Sequence, residues 1–200
     1  MLRIDAGQFM LGFMKMVLVF LLALPPAFSA GAQGRFSRSL DLAEGDPFIV
    51  VDKQASKLIL VDPVGATLRE YGSSCAVNYG PKRSRGDHKT PEGIFKITEV
   101  LNSRGLSHDF KDGNGPVPEA YGPWFLRLNV PGFVDIGIHG TPFPESIGTR
   151  ATEGCIRLRN EDSTDLKQRV GVGTTVIILP DPPASGKYAI NCYKYISKWF

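Results

Sequence analysis

Apolar and polar positions alternate along this chain in short runs, and turn-forming residues punctuate them. Phe48-Ile49-Val50-Val51-Asp52 has strand length, Lys53-Gln54-Ala55-Ser56 fits a hairpin turn, and Lys57-Leu58-Ile59-Leu60-Val61 returns as a second strand. Asp62-Pro63-Val64-Gly65 turns again, and Thr67 to Val77 alternates loosely as a third. Strands joined by such tight turns pair antiparallel. Further strands are predicted at Gly93 to Val100, Tyr121 to Leu128, Val134 to Ile138 and Thr174 to Leu179. One stretch changes period. Asn160 can cap a helix from Glu161 to Val170, with Glu161, Asp162 and Asp165 near its start and Lys167 and Arg169 in its last turn. Leu166 and Val170, four apart, would face the core, and Gly171 would end the helix.

The segments between these elements set the organisation. Residues 78 to 93 form a charged, Gly/Pro-rich loop in which Pro91 pushes Thr90 toward an extended backbone. His88 lies there, either as a solvated loop residue or as a substrate contact. Residues 101 to 121 read as a long polar loop over one end of the sheet, of the length that lids have. At the start of the chain, Lys15 precedes the apolar run Met16 to Leu24, and Pro25-Pro26 and small residues follow. The run is shorter than the roughly 20 apolar residues a spanning helix needs and suits a signal peptide. Residues 1 to 32 are therefore expected to be a signal segment, with Met14 as the expected true start and export to the periplasm or cell-wall face as the consequence. Any membrane contact is expected through this segment alone. Residues 33 to 46 read as a flexible lead, 47 to 180 as the single folded domain, and 181 to 200 as an aromatic tail that packs back on it.

Composition narrows the classes. Of 200 residues, 42% are hydrophobic and 22% charged, which suits one domain with a sizeable core. The net charge of +3 is too small for a nucleic-acid binder. Gly at 22 residues exceeds the usual share of roughly 7%, and with 15 Pro it favours a β-rich domain over a helical bundle.

Candidate chemistry centres on His139 to Asp162. Sixteen positions separate His139 from Cys155, so a loop can bring them together. An imidazole is the usual base that makes a thiol nucleophilic at neutral pH. Gly154 allows close approach of a substrate carbonyl, and the amide of Cys155 with a neighbouring amide would stabilise an oxyanion. A small buried cysteine and a structural histidine fit the same spacing. His88, Asp87, His139, Glu153 and Cys155 supply zinc-ligand types, but no metal-ligand spacing is present and no cofactor is expected.

His139-Gly140-Thr141 followed by Thr152-Glu153-Gly154-Cys155-Ile156-Arg157-Leu158 resembles the signature of the L,D-transpeptidase catalytic domain (YkuD-like), a His-Gly pair, a loop, then Ser/Thr-x-Gly-Cys-x-Arg. Thr90-Pro91-Glu92-Gly93-Ile94-Phe95 adds a second family-like element, and the resemblance covers roughly residues 47 to 180. It implies a mainly β fold: a sandwich or partly open barrel of antiparallel and mixed strands, with one short helix after the Cys motif. It also implies a cysteine acyltransferase acting on peptidoglycan stem peptides, with an amine acceptor, including an amine-bearing protein, or water. Cys155 would be the nucleophile and His139 its base. The Gly140 carbonyl would orient His139, and Thr152 and Arg157 would contact substrate, Arg157 through a carboxylate or instead by bracing the Cys loop. Tyr121 and Trp124 would face the cleft or pack as core. Many members carry His just before the Gly-Cys pair, whereas this chain has Glu153, so the resemblance leaves the reaction subtype open. An exported protein meets an oxidising compartment. If Cys155 stays free, the permitted bridge is Cys75 with Cys192; otherwise Cys75 is a buried strand thiol.

Overall fold

Two continuous apolar runs among the described residues, Phe48 to Val51 and Val176 to Leu179, lie side by side in one sheet. In the computed structural model, which describes residues 46–181, the strands in chain order are β1 (Phe48–Asp52), β2 (Lys57–Val61), β3 (Thr67–Gly72), β4 (Cys75–Ala76), β5 (Gly93–Asn102), β6 (Trp124–Leu128), β7 (Gly137–His139), β8 (Arg150–Thr152), β9 (Ile156–Arg157) and β10 (Thr175–Ile178). One α-helix, α1 (Asn160–Arg169), lies between the last two. Among the described residues eight strands form a mixed sheet in the order β3-β2-β1-β10-β5-β6-β7-β9, and β4 and β8 form a small second one. The predicted signal segment, lead and tail beyond residue 181 lie outside the described residues.

The sheet is a curled half-barrel, and its curl comes from β5. Gly93 to Lys96 pair with β10, whereas Ile97 to Asn102 pair with β6, with a register shift between Ile97 and Glu99. A bulge of this kind bends a strand and raises its twist. The concave face holds the main core, including Ile49, Val51, Leu58, Leu60, Ile97 and Leu126. Phe48, Val50, Val61, Ile177 and Leu179 form a second cluster. β1 and β10 are thus buried on both faces, which is why they read as apolar runs without polar alternation. At the edge, β3 carries Arg69 and Glu70, and its charge discourages pairing with another chain.

Three local expectations change. The third strand breaks at Ser73-Ser74, because Ser74 leaves the β2 ladder and pairs with Arg157 through two backbone hydrogen bonds of 2.9 Å each. β7 starts at Gly137 and not at Val134, which is solvent-exposed with Asp135. The helix begins one residue early: Asn160 is its first residue, and no side chain caps it. Its Oδ1 accepts the Thr141 N–H at 2.7 Å. The helix ends at Val170 in extended backbone, and the turn to β10 is made with Gly173 at φ +95°.

The turn residue Lys53 is buried, with Nζ 2.7 Å from Glu92 and 2.9 Å from Asp181. Asp181 also pairs with Arg150 and accepts the Gly80 N–H at 2.7 Å. Cys75 is a free buried thiol whose Sγ lies 4.0 Å from the Lys53 carbonyl oxygen. Its expected partner, Cys192, lies outside the described residues.

Candidate active site

Parallel pairing of β7 with β9 joins the two halves of the motif. Ile138 sits opposite Ile156 and His139 opposite Arg157. Residues paired side by side share a face. The two isoleucines therefore enter the core together, while His139 and Arg157 line one cleft with Cys155, two residues before Arg157. The cleft has a volume of about 410 Å³. A wider hollow of about 720 Å³ along α1, near Arg104, Glu119 and Gln168, is lined by neither cysteine nor histidine.

His139 is held on all sides. Its ring stacks on Phe125, 5.7 Å between centroids and 10° between planes, and meets Tyr121 edge-on at 5.2 Å. Nδ1 lies 2.5 Å from the Gly140 carbonyl oxygen. A carbonyl only accepts, so Nδ1 carries the hydrogen and Nε2 presents a lone pair. Gly140 has to be glycine, because a Cβ there would fall 2.3 Å from Asn160 Oδ1 and 3.0 Å from Pro123 Cδ. The helix start, the Thr141 amide and the Gly140 carbonyl thus interlock to set the imidazole. Burial pushes the His139 pKa down to about 4, against the opposing Gly140 hydrogen bond. The imidazole is neutral at physiological pH.

Cys155 is also neutral. Burial pushes its pKa up to about 11, while a backbone hydrogen bond from Gly137 pulls the other way. The thiol donates to the Asp135 carbonyl oxygen at 3.3 Å. The turn carrying it is braced by Thr152, whose hydroxyl donates to the Cys155 carbonyl at 2.7 Å and accepts the Gly154 N–H at 3.3 Å. Thr152 therefore shapes the turn, its hydroxyl hydrogen committed to the Cys155 carbonyl. Gly154, expected among the oxyanion donors, spends its amide within the turn. Its φ is +155°, and a Cβ would sit 3.0 Å from Ile136 Cδ1 and 3.2 Å from the Lys89 carbonyl, so a side chain is excluded here.

Arg157 braces and faces the cleft at once. It is 5% exposed, Nη1 donates to Ser146 Oγ at 3.0 Å, and Nε is buried without a hydrogen-bond partner. Tyr121 lines the cleft, but Trp124 does not: it packs against the core, with Lys167 Nζ 4.5 Å from its ring centroid. β6 runs in register so that Phe125, not Trp124, sits opposite His139. His88 lines the cleft from an exposed position with φ +50°. Of the zinc-ligand types, Asp87 is taken by Lys82 at 2.8 Å and by loop amides. Among the described residues no three His, Cys, Asp or Glu side chains group as metal ligands.

One residue has no signal in the sequence. His108, from the long loop, places Nε2 3.0 Å from Glu153 Oε2 and Nδ1 3.0 Å from Tyr121 Oη. An imidazole thus reaches the position before Gly154-Cys155 from 45 residues upstream. Only the scarcity of histidine, three in the chain, could have drawn attention to it.

Known proteins are similar to this chain in sequence and in fold. The model of the L,D-transpeptidase catalytic domain (YkuD) matches residues 46–178. YqjB of Bacillus subtilis (strain 168), which bears an L,D-transpeptidase name, is 28% identical over 156 residues, covering 77% of this chain and 83% of its own. YkuD of Bacillus licheniformis, named likewise, is 42% identical over 92 residues, and the match spans 46% of each chain. The crystal structure of L,D-transpeptidase 3 from Mycobacterium tuberculosis with a faropenem-derived adduct has the same fold, with a TM-score of 0.51 at 17% identity, over 68% of this chain and 60% of that one. This chain thus spans under half of YkuD and under two thirds of the mycobacterial enzyme. With a family model matched over most of its length and the His-Gly and Gly-Cys segments paired on adjacent strands, the chain belongs to the L,D-transpeptidase catalytic-domain family.

Proposed function

We propose that this protein is a peptidoglycan L,D-transpeptidase with Cys155 as nucleophile and His139 as its base. The observation that carries the reading is the locked imidazole: Nδ1–H on the Gly140 carbonyl leaves Nε2 as an acceptor in the cleft that holds Cys155. Both groups rest neutral, so the thiol gives its proton to His139 as sulfur attacks, rather than beforehand. The target is the amide between the L-centre of the diamino acid and the terminal D-Ala of a stem tetrapeptide. The N–H of Cys155 stabilises the tetrahedral oxyanion. His139 then protonates the departing D-Ala amine and leaves a thioester on Cys155. An amine acceptor, on another stem peptide or on a protein, resolves the thioester into a cross-link; water in its place gives L,D-carboxypeptidase activity. Arg157, buried with an unpaired Nε, binds a substrate carboxylate. The reading puts the protein at the cell-wall face, as the expected signal segment does.

Digesting purified sacculi with the protein and reading the products by mass tests this. New cross-links are the expected result. Loss of D-Ala alone assigns the carboxypeptidase reaction, and no change on several wall types leaves a non-catalytic wall-binding protein.

A further inference from the structure

The cleft has two sets of charged side chains of opposite character. Lys82 and Arg85 come from the loop after β4, and Arg157 from β9. Lys82 Nζ sits 5.0 Å from the Phe133 ring centroid, and Arg85 is 3.3 Å from Asp135. The other set is Glu153, His108 and Tyr121, with Phe110 edge-on to His108 at 4.6 Å. The mechanism above uses none of this second set.

Its hydrogen bonds form one chain from Tyr121 through His108 to Glu153. Burial, and the charges of Cys155 and Glu153 after it, push the Tyr121 pKa up to about 12. The phenol keeps its proton, and its oxygen lies 3.0 Å from His108 Nδ1. A carboxylate only accepts, so His108 Nε2 carries a hydrogen and donates to Glu153 Oε2 at 3.0 Å. Glu153 Oε1 makes no hydrogen bond among the described residues, and the Glu153 side chain is 43% exposed on the cleft. A carboxylate is thus held by a half-buried imidazole, itself backed by a half-buried phenol, next to the Gly154-Cys155 pair.

We propose that Glu153, positioned by His108 and Tyr121, binds the acceptor as a primary alkylammonium and takes its first proton. The proposal rests on the acyl-enzyme reading above. Arg157, with its unpaired Nε, suits a carboxylate of the donor peptide, and Asp135, the other carboxylate on the cleft, already faces Arg85 and Arg127, which leaves Glu153 for the incoming ammonium. In the step, the ammonium gives one proton to Glu153, and the freed nitrogen lone pair attacks the thioester carbon. A C–N bond forms as the C–S bond breaks. The second nitrogen proton passes to His139 Nε2 and from there to the departing sulfur, which regenerates the Cys155 thiol. Glu153 returns its proton to solvent. Glu153 is the acceptor-binding residue; His108 and Tyr121 are positioning residues.

The test uses a stem tetrapeptide as donor and two acceptors at neutral pH: ethylamine, which is an ammonium, and hydroxylamine, which is uncharged. Released D-Ala, the amide product and the hydrolysed tripeptide are read by mass in one reaction. In Glu153→Gln the ratio of ethylamide to hydrolysed product should fall about tenfold, the scale of one hydrogen bond to a charged group. The hydroxylamine ratio should stay unchanged, and Glu153→Asp should restore part of the ethylamine ratio. His108→Ala should raise the ethylamine concentration needed for half-maximal product without changing the maximum. An equal fall for both acceptors, or no fall, overturns the proposal. A fall in D-Ala release with an unchanged product ratio also overturns it, because Glu153 then reads the donor. If the wild-type protein releases no D-Ala at all, the acyl-enzyme reading fails instead.

Discussion

Two buried polar regions of this domain treat their charges in opposite ways. Around Lys53, the ammonium meets two carboxylates, Asp181 meets Lys53, Arg150 and the Gly80 amide, and Glu92 accepts the Asp181 N–H at 2.9 Å. That network ties the turn between β1 and β2 to the segment just after β10. In the cleft, Arg157 is as buried as Lys53 but keeps an orphaned Nε, and Cys155 and His139 are both driven to their neutral forms. A buried charge normally requires a partner. The first region supplies partners from within the chain and is structural. The second leaves Arg157 Nε without a partner among the described residues, as the proposed substrate carboxylate contact requires.

The sharpest break is chemical. Cys155→Ala and His139→Ala should each abolish turnover of a muropeptide donor, with His139→Ala costing roughly 10²–10⁴-fold as loss of a general base. The double variant should be no worse than the poorer single one, because the two act as a unit. Thermal melting should be nearly unmoved in Cys155→Ala. Near wild-type turnover in either single variant would show that the base and nucleophile lie elsewhere.

The next prediction exchanges the regions. Lys53→Met removes one partner from a satisfied buried network, and the stranded carboxylates should cost about 3–5 kcal/mol in urea unfolding. Its activity per folded molecule should stay close to wild type. Arg157→Met fills similar volume and removes an orphaned donor, so stability should change by about 1 kcal/mol or less while donor turnover collapses. If Arg157→Met unfolds the domain as Lys53→Met does, the guanidinium is a brace and not a carboxylate site.

These contrasts follow what the sequence makes legible. β1 and β2 match their predicted runs residue for residue, because double-sided burial and a four-residue turn are local properties. The His-Gly and Gly-Cys segments stand out for the same reason. What the sequence hides is pairing across distance. Lys53 looks like an ordinary turn lysine until Asp181 arrives 128 positions later. His108 looks like one polar residue in a long loop until Glu153 meets it. The break at Ser73-Ser74 has its cause in Arg157, and the role of Asn160 has its cause in Thr141. Trp124 and Phe125 are adjacent aromatics, and only the β6–β7 register decides which one meets His139.

The neutral resting pair gives a pH test of smaller scale. Folding raises the Cys155 pKa to about 11, so the thiolate fraction is small at neutral pH and grows with rising pH. Iodoacetamide alkylation of Cys155 should therefore climb steadily from about pH 6 to about pH 10 without a plateau. Turnover needs His139 neutral, and its lowered pKa keeps it so until the pH falls through about 4, where an acid limb should appear. An alkylation plateau below neutral pH would mean a preformed thiolate–imidazolium pair, and proton transfer would then precede attack.

The smallest effect tests how the cleft is held in place. Asn160 is the first residue of α1, one past the capping position held by Arg159, and its Oδ1 serves the Thr141 amide at 2.7 Å. Next to Thr141 is Gly140, whose carbonyl fixes the His139 tautomer. Asn160→Ala leaves the Thr141 amide without this partner, at a cost of about 1–3 kcal/mol for a buried donor. Because no capping bond is lost, α1 itself should keep its length, visible as unchanged amide-exchange protection over residues 163 to 169. The loss should fall on the Gly140 carbonyl and hence on His139, lowering kcat several-fold with KM little changed. Fraying of the helix start with catalysis intact would reverse this assignment and make Asn160 a cap after all.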